Sequence, residues 1–517
     1  MKNIKYILFG FLFWGIASGC NDYLDVNENP NYPYESDVPP HVLLPPMIQQ
    51  MASAIQFDSR FIGRYTQNWA DPGAGNVWDR HGYAVGSDAG GEIWRNHYWA
   101  IGKNVQVMID TAIGSGRNIY AGIGYALRAW SWQTLTDYHG EVILDEAFQE
   151  KTSYAFDSQE KVYTHVRKMC DSALFYLNLP SVADRNLANA DQFFRGDAAR
   201  WRRFVWGVRA RNLSHLTAKS TYDPNAVIAA CDSSMKVASD NAFVPFEATL
   251  SNNSNFYGTL RQNMLGFRIS SFVASLMNGT NIATLGVRDP RSASMFSIAA
   301  TDSIVRGGEP GNGVASNVLN MWGTTTTFPL TGNRGRYIFA DNAPFPIMTS
   351  FEISFIRAEA NFRKGDKTAA LADYKKAIGE HVDFINSYAT LNPATTPLIA
   401  AATKTTMLAN TQIVPISKDS LTMRSILNQK YIADWGWNHV ETWTDIRRFQ
   451  YNRGQYDGLQ IYSLFIPIIL FNENGGKVAY RVRPRFNSEY VWNRENLAKI
   501  GALNPDYHTI PMWFMNP

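Results

Sequence analysis

The sequence is poor in the residues that cross-link a protein or give it a strong charge. Only three of its 517 residues are cysteine, and 48 basic against 45 acidic side chains leave a net charge of +3. Three cysteines without a CxxC pair argue against a disulfide framework and against a structural metal site. So small a charge argues against the broad basic face that nucleic acid requires. We therefore predict no metal and no nucleic-acid partner.

Recognisable catalytic motifs are also missing. The sequence contains no HExxH and no GxSxG, and its one Gly-Gly-Lys stretch lacks the remainder of a phosphate-binding loop. Glu441 and Asp445 lie four residues apart on a predicted helix, but Arg447 and Arg448 follow them closely. Carboxylates beside arginine hold protons less tightly, which is the wrong direction for a general acid. We therefore predict a structural ion-pair cluster, no enzyme and no cofactor.

No apolar run at the N-terminus is long enough to cross a bilayer. The run Ile7–Ala17 has eleven residues, whereas a membrane-spanning helix needs about 20. It follows two lysines, Lys2 and Lys5, and this layout is typical of a secretory signal. We interpret residues 1–19 as a signal peptide.

The small residues before Cys20 resemble a bacterial lipobox, in which the cysteine is acylated and becomes the new N-terminus. The sequence departs from the usual pattern at Ala17, where leucine is common. Several acyl chains on one residue anchor a protein stably, whereas a single chain does not. We predict lipidation of Cys20, followed by an extended polar tether over residues 20–45. Two buried free thiols are then expected at Cys170 and Cys231, although a bridge between them stays open.

Helical periodicity dominates the remainder of the chain. Apolar residues recur every three or four positions across 351–385, where Gly365 and Asp366 have the positions of a helix C-cap and the next N-cap. This stretch predicts a helical hairpin similar to a tetratricopeptide repeat. Further helical patterns cover Trp94–Ile113, Ile119–Tyr138, Lys161–Leu177, Trp201–Ala218, Pro224–Ala238 and Arg424–Phe449.

Aromatic residues are unusually frequent, at 13% of the chain. Tryptophans in helical patterns are predicted to be core residues: Trp94, Trp99, Trp130, Trp132, Trp201 and Trp206. Others lie in polar, glycine-rich loops, where packing alone does not call for them, although for each ring the alternative that it packs its loop onto the scaffold stays open. Sugars are bound by exposed flat rings together with hydrogen-bonding side chains. Two loop stretches have that composition and supply the predicted ligand-binding residues, with Trp78 as the best stacking platform: Trp69, Asn76, Trp78, Asp79, Arg80, Tyr83, Trp322, Arg334 and Tyr337.

Several segments occur in a characteristic order along the chain: Cys20–Asn31, Leu135–Glu141, Tyr154–Glu160, Gly196–Phe204, Arg288–Arg291, Pro346–Ala360 and Gln429–Arg448. This order resembles the SusD/RagB family of outer-membrane lipoproteins, in its SusD-like second branch. The resemblance spans nearly the whole chain, but the C-terminal segment 483–489 keeps the family's Pro and Glu only loosely.

This resemblance implies an all-α fold, with a tetratricopeptide-like helix-pair scaffold packed against an irregular loop-rich half with little β structure. It implies a single SusD-like domain over residues 46–517 at the cell surface, anchored in the outer membrane through Cys20. Such a protein captures oligosaccharides and passes them to a SusC-like TonB-dependent transporter. Two alternatives stay open, a peptide-binding lid of the same fold and a surface glycoside hydrolase.

Overall fold

The computed structural model describes residues 38–298, 304–325, 335–464 and 469–517. Its first helix, α1 (Pro40–Tyr65), begins with a proline at its first helical position, where the fixed φ of proline suits a helix and no N–H is needed. The helix continues through Pro45 and Pro46, so the six residues 40–45 are helical. The interpretation of those six residues as extended tether is therefore wrong, and the signal peptide, Cys20 and most of the predicted tether lie outside the described residues.

Helices account for most of the described structure. Each helical pattern of the sequence contains a helix, but the helices in Trp201–Ala218 and Pro224–Ala238 end earlier than predicted, at Ser214 and Ser233. Two short segments, Asn96–Gly102 and Phe486–Tyr490, are π-helical. The further helices are α2 (Glu92–Arg95), α3 (Lys103–Gly114), α4 (Asn118–His139), α5 (Gln159–Asn178), α6 (Leu187–Ala190), α7 (Ala198–Ser214), α8 (Pro224–Ser233), α9 (Ser271–Asn278), α10 (Ser292–Met295), α11 (Ser350–Lys364), α12 (Lys367–Leu391), α13 (Ala401–Ala409), α14 (Met423–Asp434), α15 (His439–Arg448) and α16 (Arg494–Lys499).

The helical hairpin predicted over 351–385 is confirmed as α11 and α12. Gly365 ends α11 in the left-handed conformation, with φ of 91°, which costs glycine little because it has no Cβ. Asp366 then caps α12 by accepting the N–H of Ala369 at 3.0 Å. The predicted helix Arg424–Phe449 is instead two helices, α14 and α15, because the chain turns at Gly436 with φ of 87°.

Consecutive helices pack side by side into a scaffold of pairs. Helix α4 packs along both α3 and α5, α7 lies against α5 and α8, and α11 contacts α8, α12 and α14. This is the arrangement expected of stacked helical hairpins, in which each pair buries its apolar face on its neighbour. None of the described helices is both long and apolar enough to cross a membrane.

Strands are short and lie in the loop-rich half. They form three antiparallel two-stranded pairs: β1 (Trp69–Ala70) with β3 (Arg268–Ile269), β2 (Ala242–Val244) with β4 (Phe345–Met348), and β5 (Gln455–Tyr456) with β6 (Leu459–Gln460). The fold is therefore all-α with little β structure, as expected. Cys170 and Cys231 are both buried free thiols, which confirms that interpretation.

Candidate functional site

Trp69, the first of the predicted ligand-binding residues, lies in the core. Its side chain is fully buried, and its indole N–H donates to the backbone carbonyl of Ser59 at 3.0 Å. The ring lies so close to Gly63 that a Cβ there would come within 2.4 Å of it. The expectation of an exposed ring is wrong at this position.

Trp78, the predicted stacking platform, is also buried. It is 4% exposed and packs between Phe61 and Tyr65, with ring centroids 4.9 and 5.5 Å away. Stacking on a sugar needs an open ring face, and these neighbours cover the indole. The expectation of an exposed platform is therefore wrong for Trp78, which contributes only to the wall of a cavity described below.

The polar residues around Trp78 hold the loop together. Asn76 accepts a hydrogen bond from Arg64 at 2.5 Å, and Asp79 is fully buried, where it accepts two backbone N–H groups at 3.0 and 3.2 Å. Burial raises the pKa of Asp79 to about 6, against the opposing charge of Arg64. Arg80 donates to backbone carbonyls of residues 469–470 at 3.2 and 2.8 Å. The hydrogen-bonding groups expected to face a ligand are thus occupied within the protein.

The second predicted stretch is buried as well. Trp322 is 4% exposed and donates its indole N–H to the carbonyl of Tyr257 at 3.0 Å. Tyr337 is fully buried, with its ring 5.2 Å from that of Tyr388. The expectation of exposed rings is wrong for both, and Arg334 lies outside the described residues.

Two of the predicted residues do line one cavity. Trp78 and the half-buried Tyr83 contribute to the wall of a pocket of about 230 Å³, beneath the exposed loop 84–88. We call it the arginine pocket. Its other charged and aromatic wall residues are Asp88, Arg483, Arg485, Phe486, Tyr490 and Arg494.

A larger ring-lined surface adjoins the arginine pocket, and the sequence did not predict it. It consists of two depressions of about 470 and 900 Å³ that share Tyr98, Trp99 and Phe148. Arg485 lines both the smaller depression and the arginine pocket, so the cavities are neighbours. We call the two depressions the aromatic groove. Its further rings are Trp94 and Tyr154, and its further polar residues include Gln50, Arg95, Lys103, Asn104, Gln149, Glu150, Ser488 and Glu489.

Trp99 is the most exposed ring of the aromatic groove, with 67% of its surface accessible. Trp99 lies on the π-helical segment that follows α2. At the start of α2, the buried carboxylate of Asp58 accepts the backbone N–H groups of Glu92 and Ile93 at 3.2 and 2.8 Å. Short π-helical segments are frequent at functional sites. The guanidinium of Arg95 lies 4.4 Å from the centroid of the Trp99 ring. The structure thus orients an indole at the surface, and the prediction that Trp99 is a core residue is wrong.

Phe148 lines both depressions of the groove and has a strained backbone conformation. Its φ is 65°, in the left-handed region, where a bulky side chain is strained by the order of 1 kcal/mol or more. The ring is 37% exposed and rests on Gly102, where a Cβ would be 2.8 Å from it. The protein therefore maintains a strained, half-open aromatic ring beside an exposed indole, which is a common property of binding sites.

Some polar groups at the groove are hydrogen-bonded within the protein, and others are exposed to solvent. The Tyr98 hydroxyl donates to the carbonyl of Ile143 at 2.8 Å and accepts the N–H of the same residue at 2.9 Å. Burial raises the pKa of Glu489, which accepts a hydrogen bond from Asn493 at 2.8 Å. Asn104, Gln149 and Glu150 are exposed at the outer depression, although the amides of Asn104 and Gln149 each donate one hydrogen bond to a backbone carbonyl at 2.9 Å. Hydroxyl-rich ligands therefore meet donors and acceptors beside the rings.

The predicted ion-pair cluster around Glu441 is confirmed. Glu441 accepts from His215 at 2.9 Å, Asp137 lies 3.4 Å from the other imidazole nitrogen, and Lys430 pairs with Asp445 at 2.8 Å. All of these side chains are buried. The two carboxylates outweigh burial and raise the pKa of His215 to about 9, so it carries a proton at neutral pH. Because each imidazole nitrogen already faces a carboxylate, the cluster suits an ion pair better than a metal.

The sequence does contain a signal for Trp99. Arg95, Trp99 and Lys103 recur every four residues, so they share one helical face, and two charged neighbours mark that face as polar. Trp94, Trp130, Trp132 and Trp201 are buried as predicted. Trp206 also has charged neighbours on its helical face, Arg202 and Arg209, and it is partly exposed, so its prediction as a core residue is wrong as well. For Phe148 the sequence offers no comparable signal, because its exposure depends on contact with Gly102, 46 positions earlier in the chain.

Solved structures similar to this one share its fold. A SusD/RagB family protein from Bacteroides thetaiotaomicron is 20% identical, with 92% of this chain and 99% of that chain covered and a TM-score of 0.69. A SusD homolog from Bacteroides fragilis is 17% identical, with 93% and 100% covered and a TM-score of 0.68. A chitin-binding SusD homolog from Flavobacterium johnsoniae is 19% identical, with 92% and 98% covered and a TM-score of 0.68.

Comparison with curated protein sequences gives no match. Residues 30–457 match the profile of the family SusD-like_2, described as starch-binding and associating with the outer membrane. Proteins of this family bind glycans without catalysis, so the alternative of a surface glycoside hydrolase is wrong. The match extends over most of the helical scaffold and the aromatic groove, and the chain belongs to the SusD-like_2 family of the SusD/RagB proteins.

Proposed function

We propose that the protein captures oligosaccharides in the aromatic groove at the cell surface. The observation that carries this proposal is the exposed indole of Trp99 above a concave, ring-lined surface. A sugar ring presents an apolar C–H face to an indole and hydroxyl groups around its edge. Trp99 supplies the flat apolar surface, and Asn104 and Gln149 supply donors and acceptors at its margin.

The shape of the groove favours an oligosaccharide over a single sugar. Ligand sites in proteins commonly enclose about 300–1,000 Å³, and the two depressions of about 470 and 900 Å³ fall in that range. They meet at Trp99 and Phe148, so a chain of sugars would cross the exposed rings at its middle. Such a ligand gains stacking at the centre and hydrogen bonds at both ends.

Delivery to a SusC-like TonB-dependent transporter is the second part of the proposal, with Cys20 as the lipid anchor. The family's association with the outer membrane supports both. About 20 residues separate Cys20 from the start of α1 at Pro40, and an extended chain of that length spans at most roughly 70 Å. That reach allows the domain to move over a neighbouring channel while it remains attached. Anchoring keeps a released ligand at a high effective concentration near the pore.

The direct test is a glycan array probed with protein lacking residues 1–20. Starch and chitin oligosaccharides belong on the array because of the family's description and the chitin-binding homolog from Flavobacterium johnsoniae. We expect binding to at least one oligosaccharide class, and loss of that binding in Trp99→Ala. Oligopeptides assayed in parallel address the peptide-binding alternative. Binding of peptides and of no glycan would refute the proposal.

A further inference from the structure

We propose that the arginine pocket binds an anionic group of the glycan, a carboxylate or sulfate carried by a sugar whose neighbours occupy the aromatic groove. This inference rests on the proposed function and narrows its ligand class. The pocket of about 230 Å³ is too small for an oligosaccharide, but it is large enough for one substituted sugar unit. It adjoins the groove at Arg485, which lines both.

Arg483 places a positive charge in the pocket wall without a matching carboxylate. Its guanidinium lies 4.3 Å from the centroid of the Tyr83 ring and donates to the Tyr490 hydroxyl at 3.0 Å. Its other hydrogen bonds go to the backbone carbonyls of Ala502, Asn504 and Pro505, at 2.6 to 3.2 Å. No carboxylate of the described residues forms an ion pair with this guanidinium, so its charge stays uncompensated.

The charges nearby do not cancel that of Arg483. Arg485 forms an ion pair with Asp88, the only acidic residue of the pocket wall, so these two charges offset each other. Asp88 is held in place by Asn487, which donates its backbone N–H at 2.8 Å and its side-chain amide at 2.7 Å. Burial and the charge of Arg483 lower the pKa of His508 to about 4, so this imidazole is neutral at pH 7 and adds no charge.

Arg494 supplies a second uncompensated charge at the pocket. Its side chain is exposed, and within the described parts of the chain it forms no ion pair. Arg483 and Arg494 therefore leave the pocket with an excess of two positive charges. Arg483 already donates four hydrogen bonds, so it contributes mainly charge, and Arg494 contributes the N–H groups. Guanidinium groups bind carboxylate and sulfate oxygens through short charge-assisted hydrogen bonds, which are about twice as strong as those to neutral hydroxyls. A neutral sugar would leave this charge unused, whereas an anionic sugar would neutralise it.

The stem of Arg485 explains how the pocket and the groove can share one ligand. Gly91 lies directly against it, since a Cβ at that position would be 3.0 Å from the Arg485 side chain. The Arg485 side chain therefore contributes to the walls of both cavities, while its ion-pair partner Asp88 lines the arginine pocket. A sugar that leaves the smaller depression of the groove next meets the charged pocket.

The test compares matched glycans that differ only in charge. Oligogalacturonates are compared with their methyl esters, and sulfated oligosaccharides with their desulfated forms, by calorimetry on the purified protein at 50 and 500 mM NaCl. We expect an anionic member to bind at least tenfold more tightly than its neutral counterpart at low salt, with most of that advantage lost at high salt. The carboxylate and sulfate arms distinguish the two sources of the anionic group.

Substitution of Arg494 tests whether the preference for anionic glycans arises in the arginine pocket. R494Q should weaken binding of the anionic glycan by about tenfold and R494E by more, while binding of neutral glycans stays unchanged. R185Q is the matched control, because Arg185 is an exposed arginine that lines none of the cavities described. Binding of neutral glycans alone, or anionic binding that R494Q and R494E leave unchanged, would overturn this inference but not the proposed function. Binding of no glycan at all would instead refute the proposed function.

Discussion

Replacement of Trp99 by alanine is the most direct test of the aromatic groove. An aromatic side chain buries about 150–250 Å² when it is fully covered, and one sugar stacked on one face covers roughly a third of that, about 70 Å². At about 25 cal/mol per Å² of apolar surface, the contact contributes about 1.8 kcal/mol. We therefore expect Trp99→Ala to weaken oligosaccharide binding about twentyfold.

The fold should tolerate this substitution. Trp99 is 67% exposed, and its ring contacts the guanidinium of Arg95. Because the ring lies at the surface, its truncation opens no cavity in the core. Cation–π contacts at exposed sites contribute only about 0.5–1 kcal/mol. We expect the thermal unfolding midpoint to fall by no more than a few degrees.

The measurement is titration calorimetry with the glycan identified on the array, with thermal unfolding in parallel. Trp206→Ala is the matched control, because Trp206 is a second partly exposed indole beside an arginine, Arg209 at 5.3 Å, but it lies on α7 and lines none of the cavities described. Its loss should leave affinity unchanged. Equal affinity of wild type and Trp99→Ala for every bound glycan would refute the assignment of the groove.

Three further predictions concern other parts of the molecule. Trp78→Ala should lower the free energy of unfolding by about 3–5 kcal/mol in chemical denaturation, because the indole is buried; a fully stable variant would contradict its place in the core. Gly102→Ala should displace the Phe148 ring and weaken glycan binding several-fold by calorimetry, whereas Gly114→Ala, where a Cβ meets nothing within 4 Å, should not. His215→Gln should cost about 3–5 kcal/mol, because Asp137 and Glu441 lose the cation between them. The pKa of His215 is about 9 in the folded protein and about 6.5 in the unfolded chain. Its stabilising effect is therefore complete below pH 6.5 and is lost as the pH rises through 9. The thermal unfolding midpoint of the wild type should change with pH in this range and that of the variant should not; the same pH dependence in both would disprove this.

The helical architecture could be predicted from the sequence. The hairpin α11–α12 is readable from local pattern alone, because the period of its apolar residues, the cap at Gly365 and the cap at Asp366 are all encoded within a few residues of each other. Of the ion pairs near Glu441, only Asp445 with Arg448 is local, whereas Glu441 itself pairs with His215, which lies more than 200 positions earlier in the chain. Helix α1 was not predicted, because the tether inferred from the polar, proline-containing stretch before it was continued to residue 45, although a proline at the first helical position favours a helix.

Which aromatic rings reach the surface depends on contacts between distant parts of the chain, which local sequence does not encode. Trp69 and Trp78 lie in polar, glycine-rich loops, yet those loops fold back onto α1 and bury the rings, and Gly63 provides the space for Trp69. Trp99 has a helical pattern, yet its π-helical segment turns the ring outward. Local sequence sets the conformation of a segment, but the exposure of a side chain depends on which distant segment covers it. The aromatic groove and the arginine pocket exist because residues near 95, 148 and 485 meet in space.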